Sequence, residues 1–167
     1  MEILTTKRLR LRNFFPTEKD ELLKLYNDPA IGRYMYWGNI SENEIAYLIE
    51  HSLNRSPLDN GAYAYAVSFL KSDKLVGEIY LEKHADCFVL GYAIKSDRQG
   101  HGYATEILKG VISYLDRVFS SLNVIAVVDK NNIKSRALLT KLGFTNDIYQ
   151  FPESAFVQYS LYGSIKL

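Results

Sequence analysis

Gly91-Tyr92-Ala93-Ile94-Lys95-Ser96-Asp97-Arg98-Gln99-Gly100-His101-Gly102-Tyr103-Ala104-Thr105 is the stretch whose reading decides the fold. It reads as the end of a buried strand, a polar turn and a glycine-rich approach to a long helix. Gly100 and Gly102 let the backbone turn with no Cβ in the way, and the first amides of the helix then have no internal partner. Free N–H groups and the positive end of the helix dipole meet there, so the stretch is expected to hold an anion, specifically a phosphate.

Downstream, Ala104, Ile107, Leu108, Val111, Ile112, Leu115, Val118 and Phe119 recur at helical spacing. Asn123 to Asp129 follows as a buried strand, which a helix-linked return places parallel to the strand ending at Ile94. A shorter helix is predicted from about Asn132 to Leu142, closed by Gly143 and Phe144. Strands near Thr145–Tyr149 and Ala155–Tyr162 finish the chain.

Upstream, Ala62–Phe69, Lys74–Lys83 and Cys87–Ile94 read as an antiparallel meander with polar turns between them. Lys7-Arg8-Leu9-Arg10-Leu11-Arg12 alternates as a strand with one buried face, and its three arginines read as a solvated face. Thr17-Glu18-Lys19-Asp20 and Ser41-Glu42-Asn43-Glu44 look like capping boxes opening two helices, the first ending before Pro29. Between them lies an aromatic loop, Ile31 to Gly38. Its Tyr34, Tyr36 and Trp37 are candidates for the wall of an acceptor-substrate pocket, against the alternative of packing over a core edge. The expectation is one α+β domain, residues 1–167, around a mixed and mostly antiparallel sheet of about seven strands with about four helices.

Bulk properties narrow the function. The chain has 167 residues, 47% hydrophobic and 23% charged, with a formal charge of +1. That balance argues against holding nucleic acid by global electrostatics, so any anion must be met locally. The single cysteine, Cys87, forms no intramolecular disulfide and argues against a cysteine-based metal site. Neither a leader pattern nor a membrane-spanning run is visible, so a cytoplasmic protein with no membrane partner and no metal is expected. Gly100-His101-Gly102 lacks the third glycine of a dinucleotide fingerprint, because Thr105 stands there, and no Gly-Lys-Ser/Thr triplet marks a phosphate loop of the Walker type.

Gln99-Gly100-His101-Gly102-Tyr103-Ala104 fits the Gln/Arg-x-x-Gly-x-Gly/Ala signature of the GCN5-related N-acetyltransferases, the GNAT superfamily. The chain resembles in particular the branch that acetylates ribosomal-protein N-termini (RimJ/RimL type), together with its spermidine acetyltransferase relatives. Thr6 to Arg12, Trp37-x-x-x-Ser41, Leu75-Val76-Gly77, Gly91 to Ile94, Asp129 to Ser135 and Lys141 to Phe144 extend the likeness over nearly the whole chain.

The resemblance implies a GNAT fold in which two central parallel strands splay to admit acetyl-CoA. It places the pyrophosphate on the arm from Gln99 to Ala104, with Thr105 beside it. Pantetheine would lie along Tyr92, Ala93 and Ile94, and Asn132 would touch the cofactor. Arg98, His101, Arg136, Lys95, Lys130 and Lys134 add local positive charge, and Ser135 borders the same ligand. The implied activity is direct transfer of acetyl to a primary amine, by a monomer or homodimer.

Two usual family positions are changed. Leu139 stands where many members carry a tyrosine acid, and Val89 where many relatives carry a glutamate. Ser135 is the candidate acid, against a serine satisfied by its own helix. Glu78 is the candidate base, with Tyr80 or His84 acting through water as alternatives, against a plain surface glutamate.

At pH ~7.5 an α-amine of pKa ~7.8 is about one-third neutral, whereas a lysine amine of pKa ~10.4 is only ~0.1% neutral. A site lacking a strong base therefore leans to a protein or peptide N-terminus, with a small-molecule amine next. A polyamine acetyltransferase and a non-catalytic acyl-CoA-binding module are the alternatives.

Overall fold

The apolar alternation resolves into one sheet in a computed structural model that describes residues 1–35, 40–119, 123–146 and 156–162. The strands are β1 (Glu2–Thr5), β2 (Leu9–Arg12), β3 (Gly61–Phe69), β4 (Leu75–Lys83), β5 (Phe88–Ile94), β6 (Asn123–Asp129), β7 (Thr145–Asn146) and β8 (Phe156–Tyr162). They form an 8-stranded sheet in the order β1-β2-β3-β4-β5-β6-β8-β7. Among the described residues only β5 and β6 run parallel; every other neighbouring pair is antiparallel. The strand beyond the expected number is β1. Its 4 residues are too few to announce themselves by alternation, and they pair against β2 with Leu4 opposite Leu11.

The helices are α1 (Lys19–Tyr26), α2 (Pro29–Gly32), α3 (Glu42–Ser52), α4 (Tyr103–Val118) and α5 (Ile133–Lys141). The short α2 replaces the start of the expected aromatic loop. Asp28 caps it by accepting from the Ala30 amide at 2.8 Å, and Pro29 suits a first helical position. The box at Ser41 forms as read: Ser41 Oγ accepts from the Glu44 amide at 3.3 Å, and Glu44 accepts from the Ser41 amide at 2.8 Å.

The box at Thr17 does not form, because Pro16–Glu18 makes a single 3-10 turn and α1 starts after it. Glu18 closes that turn by accepting from the Phe15 amide at 2.8 Å, and the two terminal nitrogens of Arg12 donate to the same carboxylate at 2.7 and 2.8 Å. This pair also corrects the reading of the arginine row: Arg12 is 3% exposed rather than solvated. A buried guanidinium persists only with such a bidentate partner.

Helices cover both faces of the sheet, so β4 is buried along most of its length. One core joins α4 and α5 to Leu9, Leu11, Val67, Val76, Ile79 and Leu81; the other joins α1 to α3 to Ala64, Ala66, Leu75 and Ala93. Gly77 marks the tightest approach in the sheet. A Cβ built there would stand 2.1 Å from the Ala93 carbonyl oxygen and 3.0 Å from Ile94 Cα. Gly77→Ala is therefore expected to destabilise the protein by about 3 kcal/mol, since backbone rather than a flexible side chain must move. Denaturant unfolding reads this out; a loss below about 1 kcal/mol would mean that β4 and β5 part easily.

Candidate active site

The parallel pair β5–β6 is in register only at Phe88 with Val124 and Val89 with Ile125. Beyond that point the strands diverge, while each keeps its antiparallel partner on the other side. Pairing with β4 uses alternate residues, as the bond from the Lys95 amide to the Val76 carbonyl at 2.9 Å fixes. Tyr92 therefore turns its own N–H and C=O into the gap, and Ile94 turns its carbonyl there, where Gln99 Nε2 reaches it at 3.0 Å. The result is a cleft of about 870 Å³ walled by β5, β6, the glycine arm and α5.

At one end of the cleft Gly100 and Gly102 adopt φ of +78° and +77°. Gly102 is the cap residue of the 16-residue α4, and no side chain caps that helix. Among the described residues, the amides from Gly100 to Thr105 have no acceptor. Six donors at a helix start form a cradle matched to an anion with several oxygens.

At the floor lies Glu78, 2% exposed, with Tyr26 donating to its Oε2 at 2.7 Å. Burial raises its pKa to about 7, against the lowering effect of the Tyr26 bond. The reading of Glu78 as a surface residue is overturned by α1, which covers that face of β4. Tyr26 escaped sequence reasoning because an aromatic at core spacing on a helix gives no sign that its hydroxyl meets a carboxylate.

A third feature joins the two walls. The hydroxyls of Tyr92 and Ser135 lie 2.7 Å apart. Ser135 is thus engaged by β5 rather than by its own helix, and burial raises the Tyr92 phenol to about 12. The Tyr92 side chain was not legible as a partner of Ser135, since 43 residues separate them in the chain.

The other expected residues divide. Ala93, Ile94, Arg98, Gln99, Gly100, Gly102, Tyr103, Ala104, Thr105 and Tyr34 line the cleft, as does Tyr80. Asn132 also lines it while its Oδ1 caps α5 by accepting from the Ser135 amide at 3.1 Å.

Tyr80 donates to Glu82 at 3.1 Å, and burial raises its pKa to about 12, which keeps it a neutral phenol. His84 also turns to Glu82, at 3.1 Å. The His101 side chain stays outside, stacked on Tyr103. Arg136 points to β8, donating to Tyr159 Oη at 3.1 Å and to the Lys130 carbonyl at 2.9 Å. Lys95 is held by Glu21 at 2.9 Å. Tyr36 and Trp37 lie outside the described residues. From the same stretch as Tyr34, Ile31, Arg33 and Met35 also line the cleft.

Residues 8–145 match the family model described as an acetyltransferase (GNAT) domain. The chain belongs to the GNAT family. It is accordingly an acetyl-CoA-dependent acyltransferase.

Among known GNAT relatives, the uncharacterized N-acetyltransferase p20 of Bacillus licheniformis is 26% identical over 153 residues, covering 88% of this chain and 84% of that protein. A GNAT-family acetyltransferase from Bacillus anthracis superposes with a TM-score of 0.78 at 18% identity, over 99% of this chain and 98% of its own. RimL, a ribosomal L7/L12 alpha-N-protein acetyltransferase solved in complex with coenzyme A, gives a TM-score of 0.77 at 15% identity, covering 96% and 97%. No described helix is long and apolar enough to cross a membrane.

Proposed function

We propose that residues 1–167 form one GNAT domain that transfers acetyl from acetyl-CoA directly to the α-amine of a protein or peptide N-terminus. The single observation that carries this reading is Glu78: a carboxylate buried at the cleft floor with its pKa at about 7.

Taking a proton from an α-ammonium of pKa ~7.8 is uphill by about 1 kcal/mol for such a base, and from a lysine ammonium of pKa ~10.4 by about 5 kcal/mol. The former suits a cytoplasmic enzyme at neutral pH. RimL, whose fold this chain shares, acts on an N-terminal amine. The polyamine alternative would call for an acidic acceptor end, whereas Arg33, Tyr34 and Met35 line it here.

The residues present fit the donor. The amides of Gly100 to Thr105 would hold the pyrophosphate, with Arg98 and Gln99 beside them, and the open backbone groups of Tyr92 would pair with the pantetheine amides. Glu78 accepts the ammonium proton, directly or through one water. The Tyr92–Ser135 pair stands where the walls meet, as hydrogen-bond donor to the departing sulfur. An ordinary thiol has a pKa near ~8.5, so a phenol at about 12 stabilises the thiolate by hydrogen bonding without giving up its proton.

Ser135→Ala and Tyr92→Phe are each expected to lower kcat about tenfold while acetyl-CoA affinity stays within about twofold. The double variant should be little worse than the poorer single, because the hydroxyls act as a unit. Rapid-quench turnover with binding titrations checks this, and unchanged kcat in both would place the donor elsewhere.

The acceptor class is tested by thiol release from acetyl-CoA with a panel of amines. Turnover is expected with peptides bearing a free N-terminus and not with N-blocked lysine peptides or spermidine. Preference for spermidine would establish the polyamine reading, and acetyl-CoA binding without turnover on any amine a binding module.

A further inference from the structure

We infer that Arg8 is a positioning residue for the anion cradle: it fixes the orientation of the His101–Gly102 peptide from behind. The inference rests on the reading of Gly100 to Thr105 as the pyrophosphate site. Arg8 lies between β1 and β2, far from the cradle in sequence, and does not line the cleft. It nevertheless grips the cradle on both sides of the cap residue Gly102. Before the cap, a terminal guanidinium nitrogen donates to the His101 carbonyl at 3.1 Å. After it, Nε donates to Glu106 Oε2 at 2.6 Å, and the guanidinium lies 4.5 Å from the centre of the Tyr103 ring.

Glu106 is itself fixed in the first turn of α4. Its Oε1 accepts from the Arg8 amide at 2.7 Å and from Thr6 Oγ1 at 2.6 Å. Burial works to raise its pKa, but these bonds and the Arg8 charge outweigh that and hold it below the ordinary carboxylate range. The clamp is therefore charged at neutral pH.

The cradle needs such a clamp because of its own glycines. The carbonyl of His101 and the N–H of Gly102 belong to one plane and point in opposite directions. Rotating that plane changes ψ of His101 and φ of Gly102, and glycine accepts either sign of φ. In one orientation the Gly102 N–H joins the cradle; in the other the His101 carbonyl presents its negative end to the anion. No side chain caps α4 to choose between them. Arg8 holds the carbonyl on its own side and thereby directs the Gly102 N–H away from itself. A lysine at this position keeps the charge but lacks the fork that reaches His101 and Glu106 together.

The test is isothermal titration of the full chain with coenzyme A and with pantetheine, which lacks the phosphates. Arg8→Met and Arg8→Lys are each expected to weaken coenzyme A binding by about tenfold or more and to leave pantetheine binding unchanged. Arg10→Met, which removes a partly buried arginine paired with Glu2 and Asp73 two residues along the chain, should leave both affinities unchanged. Full affinity in Arg8→Lys would overturn the inference by showing that charge alone matters. An equal loss in Arg10→Met, or an equal loss for pantetheine, would overturn it by showing a general disturbance. If the unaltered protein binds coenzyme A no more tightly than pantetheine, the cradle reading itself falls. If the unaltered protein discriminates and the Arg8 variants discriminate equally well, only the role of Arg8 falls.

Discussion

Glu78→Gln is expected to lower kcat/KM by ~10²–10⁴-fold, the range over which a positioned general base acts. In the unaltered enzyme kcat/KM should climb with pH through about 7, the pKa to which burial raises this carboxyl. The variant should lose that limb. The same substitution carries a second signature, in stability. The folded pKa of about 7 stands above the ordinary value of 4.5, so the native state binds more protons than the unfolded chain between those values. The contribution of this one carboxyl to stability is then fully present below pH 4.5 and is lost as pH rises through that window, by about 3 kcal/mol in all.

Glutamine keeps an acceptor for the Tyr26 hydroxyl but does not ionise. Glu78→Gln should thus gain stability over the parent between pH 5 and pH 8 while losing activity over the same range. Denaturant midpoints at both pH values, beside a pH–rate profile, check the pair of effects. A variant of full activity would remove Glu78 from the chemistry. One with no pH-dependent gain would mean that the carboxyl is already solvated in the native state.

Gly102→Glu is expected to abolish measurable acetyl-CoA binding, and the reason is charge more than bulk. A Cβ at Gly102 finds only an Arg8 guanidinium nitrogen, at 3.7 Å. The φ of +77° would strain any side chain there by about 1–2 kcal/mol. A carboxylate there would stand beside the Arg8 guanidinium and compete for the group that holds the His101 carbonyl, besides adding negative charge to the anion site. Gly102→Ala separates the contributions and should weaken binding by about tenfold only. Equal losses in the two variants, read by titration, would show that backbone strain rather than electrostatics governs the arm.

What was legible in the sequence had a local cause. The arm from Gly100 to Thr105 announces itself because two glycines beside a long amphipathic run leave few other conformations. The meander from β3 to β5 follows from alternation, and α4 from a repeat sustained over its whole length. The parts that were not legible depend on neighbours supplied from far along the chain. Arg12 becomes buried because Asp73, 61 residues on, joins Glu18 at its guanidinium. Glu78 becomes a buried acid because α1 brings Tyr26 over it. The side chains of His101 in the arm and Arg136 on α5 turn instead to Tyr103 and Tyr159. Short elements escaped for a related reason: β1 and α2 exist through β2 and Asp28, and neither has a period of its own.

The divergence of β5 from β6 has a mechanical consequence. Five strands on one side and three on the other meet along a seam closed by only two residue pairs, with α4 and its core spanning one face. A ligand lying in that seam takes the place of the missing ladder bonds and serves as mortar between the two wings of the sheet. Mass action then makes the rigidity of the protein depend on its supply of donor: at a free concentration ~100 times Kd the native state gains about 2.7 kcal/mol. The amides of β6 near Val127, which border the open seam, should be those whose hydrogen exchange slows most on saturation.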